Sequence, residues 1–137
     1  MGASGEFTGA QVSAFMSTIL LVDSDPLHAF LFKSILEKKY PDVQRVSDAA
    51  EAFCLVEQPL FAGRLGLVVS GSSRGSIDSP AFVAELHERL PHVPVVVLGN
   101  STEAGSDYPR EYVRYLSRPH ASEKILEAAE ELLTRHN

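Results

Sequence analysis

The feature that most constrains the fold of this chain is a regular alternation of short apolar runs with longer amphipathic segments. Five runs rich in Val, Ile, Leu and Tyr have the length and composition of β-strands, namely Thr18–Val22, Val43–Val46, Leu65–Val69, Val93–Leu98 and Tyr112–Leu116. Most of the intervening segments place apolar residues at helical spacing. Strands that alternate with helices predict one α/β domain whose parallel sheet is covered by helices on both faces.

The helices are marked by capping signals. Asp25 is expected to be the N-cap of the first helix, and Pro26 has the fixed φ that suits a first helical position. This helix carries apolar residues at helical spacing, which are Leu27, Phe30, Leu31, Ile35 and Leu36. Further helices are predicted from Ser47 or Asp48 to Glu57, from Ser79 to Leu90 and from Ser122 to Arg135.

Composition and charge exclude several classes of function. The chain of 137 residues has a net charge of −6, and its 12 Lys and Arg residues are scattered, which argues against direct nucleic-acid binding. The apolar runs are too short to cross a bilayer, so no membrane association is expected. Cys54 is the only cysteine, which suits a cytoplasmic protein, and a packed or half-exposed thiol is expected there. The five His residues show no metal-ligand spacing.

The chain is interpreted as one domain, residues 17–137, preceded by a separate segment. Residues 1–16 are rich in Gly, Ala and Ser, follow no coherent period and lack the charged start of a secretory signal. They are interpreted as a flexible leader or a remnant of cloning.

Polar residues and glycines follow the strands at the edge where open α/β sheets hold their functional crevice. Four segments are informative: Ile19–Pro26, Leu67–Gly71, Pro94–Gly99 and Tyr115–Pro119. In this order and at these intervals, the sequence resembles the receiver domain of two-component response regulators, over residues 18–135. The resemblance implies a flavodoxin-like, doubly wound five-stranded parallel sheet of strand order 2-1-3-4-5. The stretch between Gly99 and Arg118 is short, so a shortened or missing fourth helix is expected.

The resemblance also implies a degenerate phosphorylation pocket, made of Asp23, Ser24, Asp25, Gly71, Gly99, Arg118 and Pro119. Asp23 matches the first of the family's two acids, while Ser24 stands at the second. Gly71 stands at the phosphoacceptor aspartate, and Gly99 at the hydroxyl residue that senses the phosphoryl group. Arg118 replaces the family's lysine. The sequence therefore lacks the nucleophile, one metal ligand and the switch hydroxyl.

These losses predict a module without enzymatic activity and without a cofactor. Mg²⁺ binding is expected to be weak or absent, with Asp23 as a weak candidate ligand, because the ion needs several well-placed anionic oxygens. The predicted function is phosphorylation-independent signalling by protein–protein interaction in a bacterial two-component-type system. The expected partner is another protein or a tethered output domain.

Two alternatives stay open. One is an atypical phospho-switch that uses Asp23, Asp25 or Ser70, and the other is a small-ligand sensor that uses the vacated crevice. Tyr108, Tyr112 and Tyr115 cluster around the fifth strand. They form the predicted interaction surface, because Tyr is enriched in interface cores, and a homodimer through the fifth strand and the last helix is possible there.

Overall fold

A computed structural model of the chain describes residues 17–71, 79–99, 112–117 and 121–136. The strands are β1 (Thr18–Val22), β2 (Val43–Val46), β3 (Leu65–Ser70), β4 (Val95–Leu98) and β5 (Val113–Leu116). The helices are α1 (Pro26–Glu37), α2 (Ala49–Val56), α3 (Pro59–Arg64), α4 (Ser79–Arg89) and α5 (Ser122–His136). The strands form one parallel sheet of order β2-β1-β3-β4-β5, which confirms the predicted flavodoxin-like topology.

The sheet is buried on both faces, as its continuous apolar strands predict. Successive side chains of β1 point to opposite faces: Ile19 and Leu21 join a core with α1 and α5, and Leu20 and Val22 join one with α2, α3 and α4. Every residue of β1 is buried. This strand therefore anchors both layers of helices.

The predicted start of α1 is confirmed. Asp25 is its N-cap and Pro26 its first residue. The Asp25 carboxylate accepts hydrogen bonds from the backbone N–H groups of Leu27 (2.9 Å) and His28 (3.3 Å). These bonds satisfy two of the amide groups that a helix start leaves without an intrahelical partner.

The apolar residues at helical spacing in α1 divide between a buried and an exposed face. Ile35 and Leu36 are buried, but Leu27, Phe30 and Leu31 are 75%, 73% and 52% exposed. Their places in the core are taken by Ala29 and Phe32. The helix carries apolar residues on two faces, and the sequence period alone does not decide which face packs against the sheet.

Two strand starts differ from prediction. β4 begins at Val95 instead of Val93, because Pro94 has no N–H to donate to a ladder, although its carbonyl accepts from the Val68 N–H at 3.0 Å. β5 begins at Val113, one residue after the predicted start.

The short helix α3 was not predicted, and Cys54 was misjudged. The helix α3 begins at Pro59 and is six residues long, and its Phe61 is buried. The Cys54 thiol is exposed, not packed or half-exposed.

The leader 1–16 and the segment 100–111, where a shortened or missing helix was expected, lie outside the described residues. Within the described ranges, no helix combines the length and apolar composition needed to cross a bilayer.

Removing the α1 cap should cost measurable stability. We expect Asp25→Ala to lower the free energy of unfolding by about 1 kcal/mol, because two amide groups lose their acceptor. Asp25→Ser should retain most of the stability, since a serine hydroxyl can cap the same amides. Urea denaturation measures both, and equal losses in the two variants would contradict the capping role.

Candidate functional site

The carboxyl ends of β1 and β3 bring Asp23 and Gly71 together. Val22 pairs with Ser70 in the parallel ladder, and the Gly71 N–H donates to the Val22 carbonyl at 2.8 Å. Asp23 is the next residue after Val22. The pairing register alone therefore places the first polar residue after β1 beside the first residue after β3.

The Asp23 side chain is fully buried at this edge. Its Oδ1 accepts a hydrogen bond from the Asp25 N–H at 2.9 Å. Its backbone N–H donates to the Val46 carbonyl at 3.0 Å. Its backbone carbonyl accepts from Nε (3.1 Å) and Nη2 (2.8 Å) of Arg45. The loop after β1 is thus fixed from β2 as well as from α1.

Arg45 is a positioning residue that the sequence reasoning missed. It lies in β2, where a lone arginine on an edge strand has the appearance of ordinary surface charge. Its forked contact with the Asp23 carbonyl depends on the parallel register of β1 and β2, in which Leu21 pairs with Arg45. Nothing in the local sequence signals this contact.

Gly71 leaves the space that the Asp23 carboxylate fills. A Cβ built on Gly71 would lie 2.9 Å from Cγ of Asp23 and closer still to its Oδ2. Real Cβ atoms essentially never approach a heavy atom that closely. The position that the resemblance assigns to a phosphoacceptor therefore accepts no side chain while Asp23 keeps this rotamer.

Gly99 is packed against a neighbouring side chain in the same way as Gly71. Val97 pairs with Tyr115 between β4 and β5, and the Gly99 N–H donates to the Leu116 carbonyl at 2.9 Å. A Cβ on Gly99 would overlap the hydroxyl end of the Tyr115 ring. The half-buried ring also packs against the core that β4 and α4 share. Tyr115 thus occupies the place where the resemblance puts a switch hydroxyl.

Three residues with side chains remain in the described part of the predicted pocket, namely Asp23, Ser24 and Asp25. Asp25 caps α1, and Ser24 is a neutral, half-buried side chain. One buried carboxylate with one oxygen already accepting a backbone N–H does not match the several hard oxygen ligands that Mg²⁺ prefers. In the described part of the chain, no group of three His, Cys, Asp or Glu side chains is suited to a metal. Arg118 and Pro119 lie outside the described residues.

Of the three predicted interface tyrosines, the structure describes Tyr112 and Tyr115. Tyr115 is turned toward Gly99, and Tyr108 lies outside the described residues. Tyr112 precedes β5 and so lies at the amino ends of the strands, whereas the crevice lies at their carboxyl ends. Its hydroxyl lies 3.1 Å from Nδ1 of His92, and its ring meets that of His87 edge-on at 6.3 Å between centroids. Tyr112 and Tyr115 therefore contact other residues of the chain at the two opposite ends of β5.

The contact between Gly71 and Asp23 can be tested by a double-mutant cycle. Gly71→Ala should lower the stability by roughly 1–3 kcal/mol, because its Cβ overpacks against the Asp23 carboxylate. In an Asp23→Ala background the same change should cost much less. Gly63→Ala is the matched control: a Cβ at this exposed helical glycine meets nothing within 4 Å, so stability should stay equal or rise. An equal cost of Gly71→Ala in both backgrounds would rule out the contact.

The contact between Gly99 and Tyr115 predicts a conformational change. Gly99→Ala should force the Tyr115 ring out of its site, with a loss of roughly 1–3 kcal/mol in stability. NMR of the tyrosine ring protons should show Tyr115 moving to a more solvated environment. In a Tyr115→Ala background, Gly99→Ala should be nearly neutral. An unchanged Tyr115 spectrum in the Gly99→Ala variant would refute the contact.

The comparison with known proteins yields structural relatives only. No protein-family model matches the chain, and no curated protein matches it. Among solved structures, it is similar to a response regulator receiver protein from Sinorhizobium medicae WSM419, with a TM-score of 0.73, 24% identity, and 88% of this chain and 97% of that chain covered.

Two further structures show the same likeness. The signal receiver domain of an HD domain-containing protein from Pseudomonas fluorescens Pf-5 has a TM-score of 0.74 and 24% identity, covering 88% of this chain and 96% of the other. A response regulator receiver domain protein from Clostridium thermocellum has a TM-score of 0.76 and 18% identity, covering 87% and 95%. The chain therefore has the fold of response-regulator receiver domains over nearly the whole length of those domains.

Proposed function

We propose that this chain is a receiver-like signalling module that works without phosphorylation, through contact with other proteins, in bacterial two-component-type regulation. The observation that carries the proposal is the packing of the Asp23 carboxylate against Gly71. The acceptor position of a receiver pocket is here both devoid of a nucleophile and sterically closed by a neighbouring side chain.

The chemistry of phosphotransfer finds no support in the described pocket. An acyl phosphate forms on a carboxylate that is accessible to the donor and is assisted by a bound cation. Gly71 offers no side chain, and Asp23 is fully buried with one oxygen engaged by the Asp25 N–H. The donor set around Asp23 is poor for Mg²⁺. The proposal therefore includes no catalytic activity and no cofactor.

The position from which a receiver senses the phosphoryl group is also changed. A hydroxyl at the end of β4 is replaced by Gly99, whose missing side chain is the space that Tyr115 fills. A residue without a side chain cannot form a hydrogen bond to a phosphoryl group through a hydroxyl, and the Tyr115 ring is held in place by packing. This favours one persistent conformation of the edge between β4 and β5.

The alternative acceptors are less well supported. Asp25 is committed to the N-cap of α1, and Ser70 is buried in β3, so a phosphodonor would need the edge of the sheet to open. A small-ligand sensor at the crevice gains no support from the described residues either. A pocket of about 290 Å³ lies at the amino ends of the strands, between the end of α3, the start of β3 and the loop Leu90–Pro94.

We infer a protein partner or a tethered output domain, because a module without its own chemistry can transmit a signal only through binding. The bacterial cytoplasm is the compartment in which two-component receivers work, and a single exposed thiol at Cys54 suits its reducing conditions. The net charge of −6 gives no reason to expect a nucleic-acid partner.

Treatment with a phosphodonor tests the proposal. The full chain is incubated with acetyl phosphate and Mg²⁺, or with beryllofluoride and Mg²⁺, beside a receiver domain that retains its acceptor aspartate. We expect no added phosphoryl mass and no amide NMR shifts near Asp23, because the pocket holds neither nucleophile nor cation site. Phosphorylation that approaches one group per chain would disprove the proposal, and its loss in Asp23→Ala or in Ser70→Ala would identify the acceptor.

A further inference from the structure

The outer face of α1 carries an apolar stripe. Among the described residues, the most exposed large apolar side chains are Leu27, Phe30, Leu31 and, far away on α3, Leu60. The first three stand at positions i, i+3 and i+4 of one helix, so they are neighbours on its surface. Leu60 belongs to the helices on the other face of the sheet, because its neighbour Phe61 packs in the second core. The α1 stripe consists of Leu27, Phe30 and Leu31.

The α1 stripe has no role in the core of its own chain. The inner face of α1 is already filled by Ala29, Phe32, Ile35 and Leu36. Exposing two leucines and a phenylalanine side by side keeps apolar surface in water, which is unfavourable in a monomer. One turn further along the same face, Ser34 is exposed and small, and Lys38 follows at the end of the helix.

We propose that the α1 stripe binds a second copy of this chain, with the two α1 helices antiparallel around a two-fold axis close to Phe30 and Leu31. The surface would be self-complementary, as an isologous contact requires. In this register, Phe30 lies opposite the partner's Leu31, and Leu27 lies opposite the partner's Ser34. The large side chain near one end thus meets the small one near the other. The proposal stands independently of whether the module is phosphorylated.

The charges on α1 favour the antiparallel arrangement. Asp25 caps the first end of the helix, with its side chain 36% exposed and its Oδ2 3.9 Å from Nδ1 of His28, and Lys38 is exposed at the last end. The other cations of this region already have acidic partners within the chain: Lys33 pairs with Glu37 at 2.9 Å, and Lys39 with Glu130 at 2.9 Å. Antiparallel helices bring Lys38 of each copy near Asp25 of the other and oppose their dipoles, whereas parallel helices would bring like charges together.

The contact is small, so the dimer should be weak. Three apolar anchors on one helix fall below the area of standard stable interfaces. The association should therefore depend on protein concentration. It is the kind of contact that a tethered domain or a high local concentration would strengthen.

Sedimentation velocity over a wide range of concentrations tests the contact. We expect the full chain to shift from monomer toward dimer as concentration rises, and Phe30→Glu to remain monomeric, because a charge would be placed in the centre of the contact. Leu60→Glu is the matched control, since it removes an equally exposed apolar side chain on the other face of the sheet. A full chain that stays monomeric at the highest concentrations overturns the proposal, and so does a Phe30→Glu variant that dimerises like Leu60→Glu.

Disulfide trapping tests the orientation of the helices. In a Cys54→Ser background, Leu31→Cys should form a cross-linked dimer readily, because residue 31 lies close to the two-fold axis. Lys38→Cys should not, because two copies of residue 38 would be about 22 Å apart along antiparallel helices, well beyond the Cα separation of about 7 Å that a disulfide tolerates. Efficient cross-linking through Lys38→Cys together with poor cross-linking through Leu31→Cys would refute the antiparallel contact.

Discussion

The burial of β1 between two layers of helices is the constraint on which the rest of this structure depends. Because every residue of β1 is buried, a slip of one position would turn its apolar side chains toward the wrong layer. The register with β2 and β3 is therefore fixed, and with it the point at which the chain leaves the sheet. Asp23 stands at that point, beside Gly71 on one side and within reach of Arg45 on the other. The geometry of the candidate site is a consequence of core packing.

The two glycines of the site are explained by their neighbours. At each, a side chain from an adjacent strand end fills the volume that a side chain of its own would need: the Asp23 carboxylate beside Gly71, and the Tyr115 ring beside Gly99. A glycine without such a neighbour would leave an open space at the surface. Both glycines instead lie in closely packed surroundings, so the ends of these strands are filled by side chains from their neighbours.

The sequence predicted most of the fold because strand burial and helix capping are local signals. β1, β2 and the N-cap Asp25 were predicted from the residues themselves. The strand order, and the positions of Asp23, Gly71 and Gly99 at the carboxyl ends of the strands, were predicted from the resemblance to receivers. The exposure of Leu27, Phe30 and Leu31 was not predicted, because α1 is apolar on two faces and only the assembled core decides which face is buried. The contacts of Arg45 and Tyr115 depend on the register between strands that are distant in sequence. No local pattern encodes them.

The fit between Asp23 and Gly71 also limits which single substitutions this part of the sheet tolerates. An aspartate at position 71 would clash with the Asp23 carboxylate, and loss of the Asp23 side chain would leave a buried gap and remove the acceptor of the Asp25 N–H. Either single change is therefore unfavourable on its own. The two positions are thus energetically coupled, because the side chain that position 71 can hold depends on the side chain at position 23.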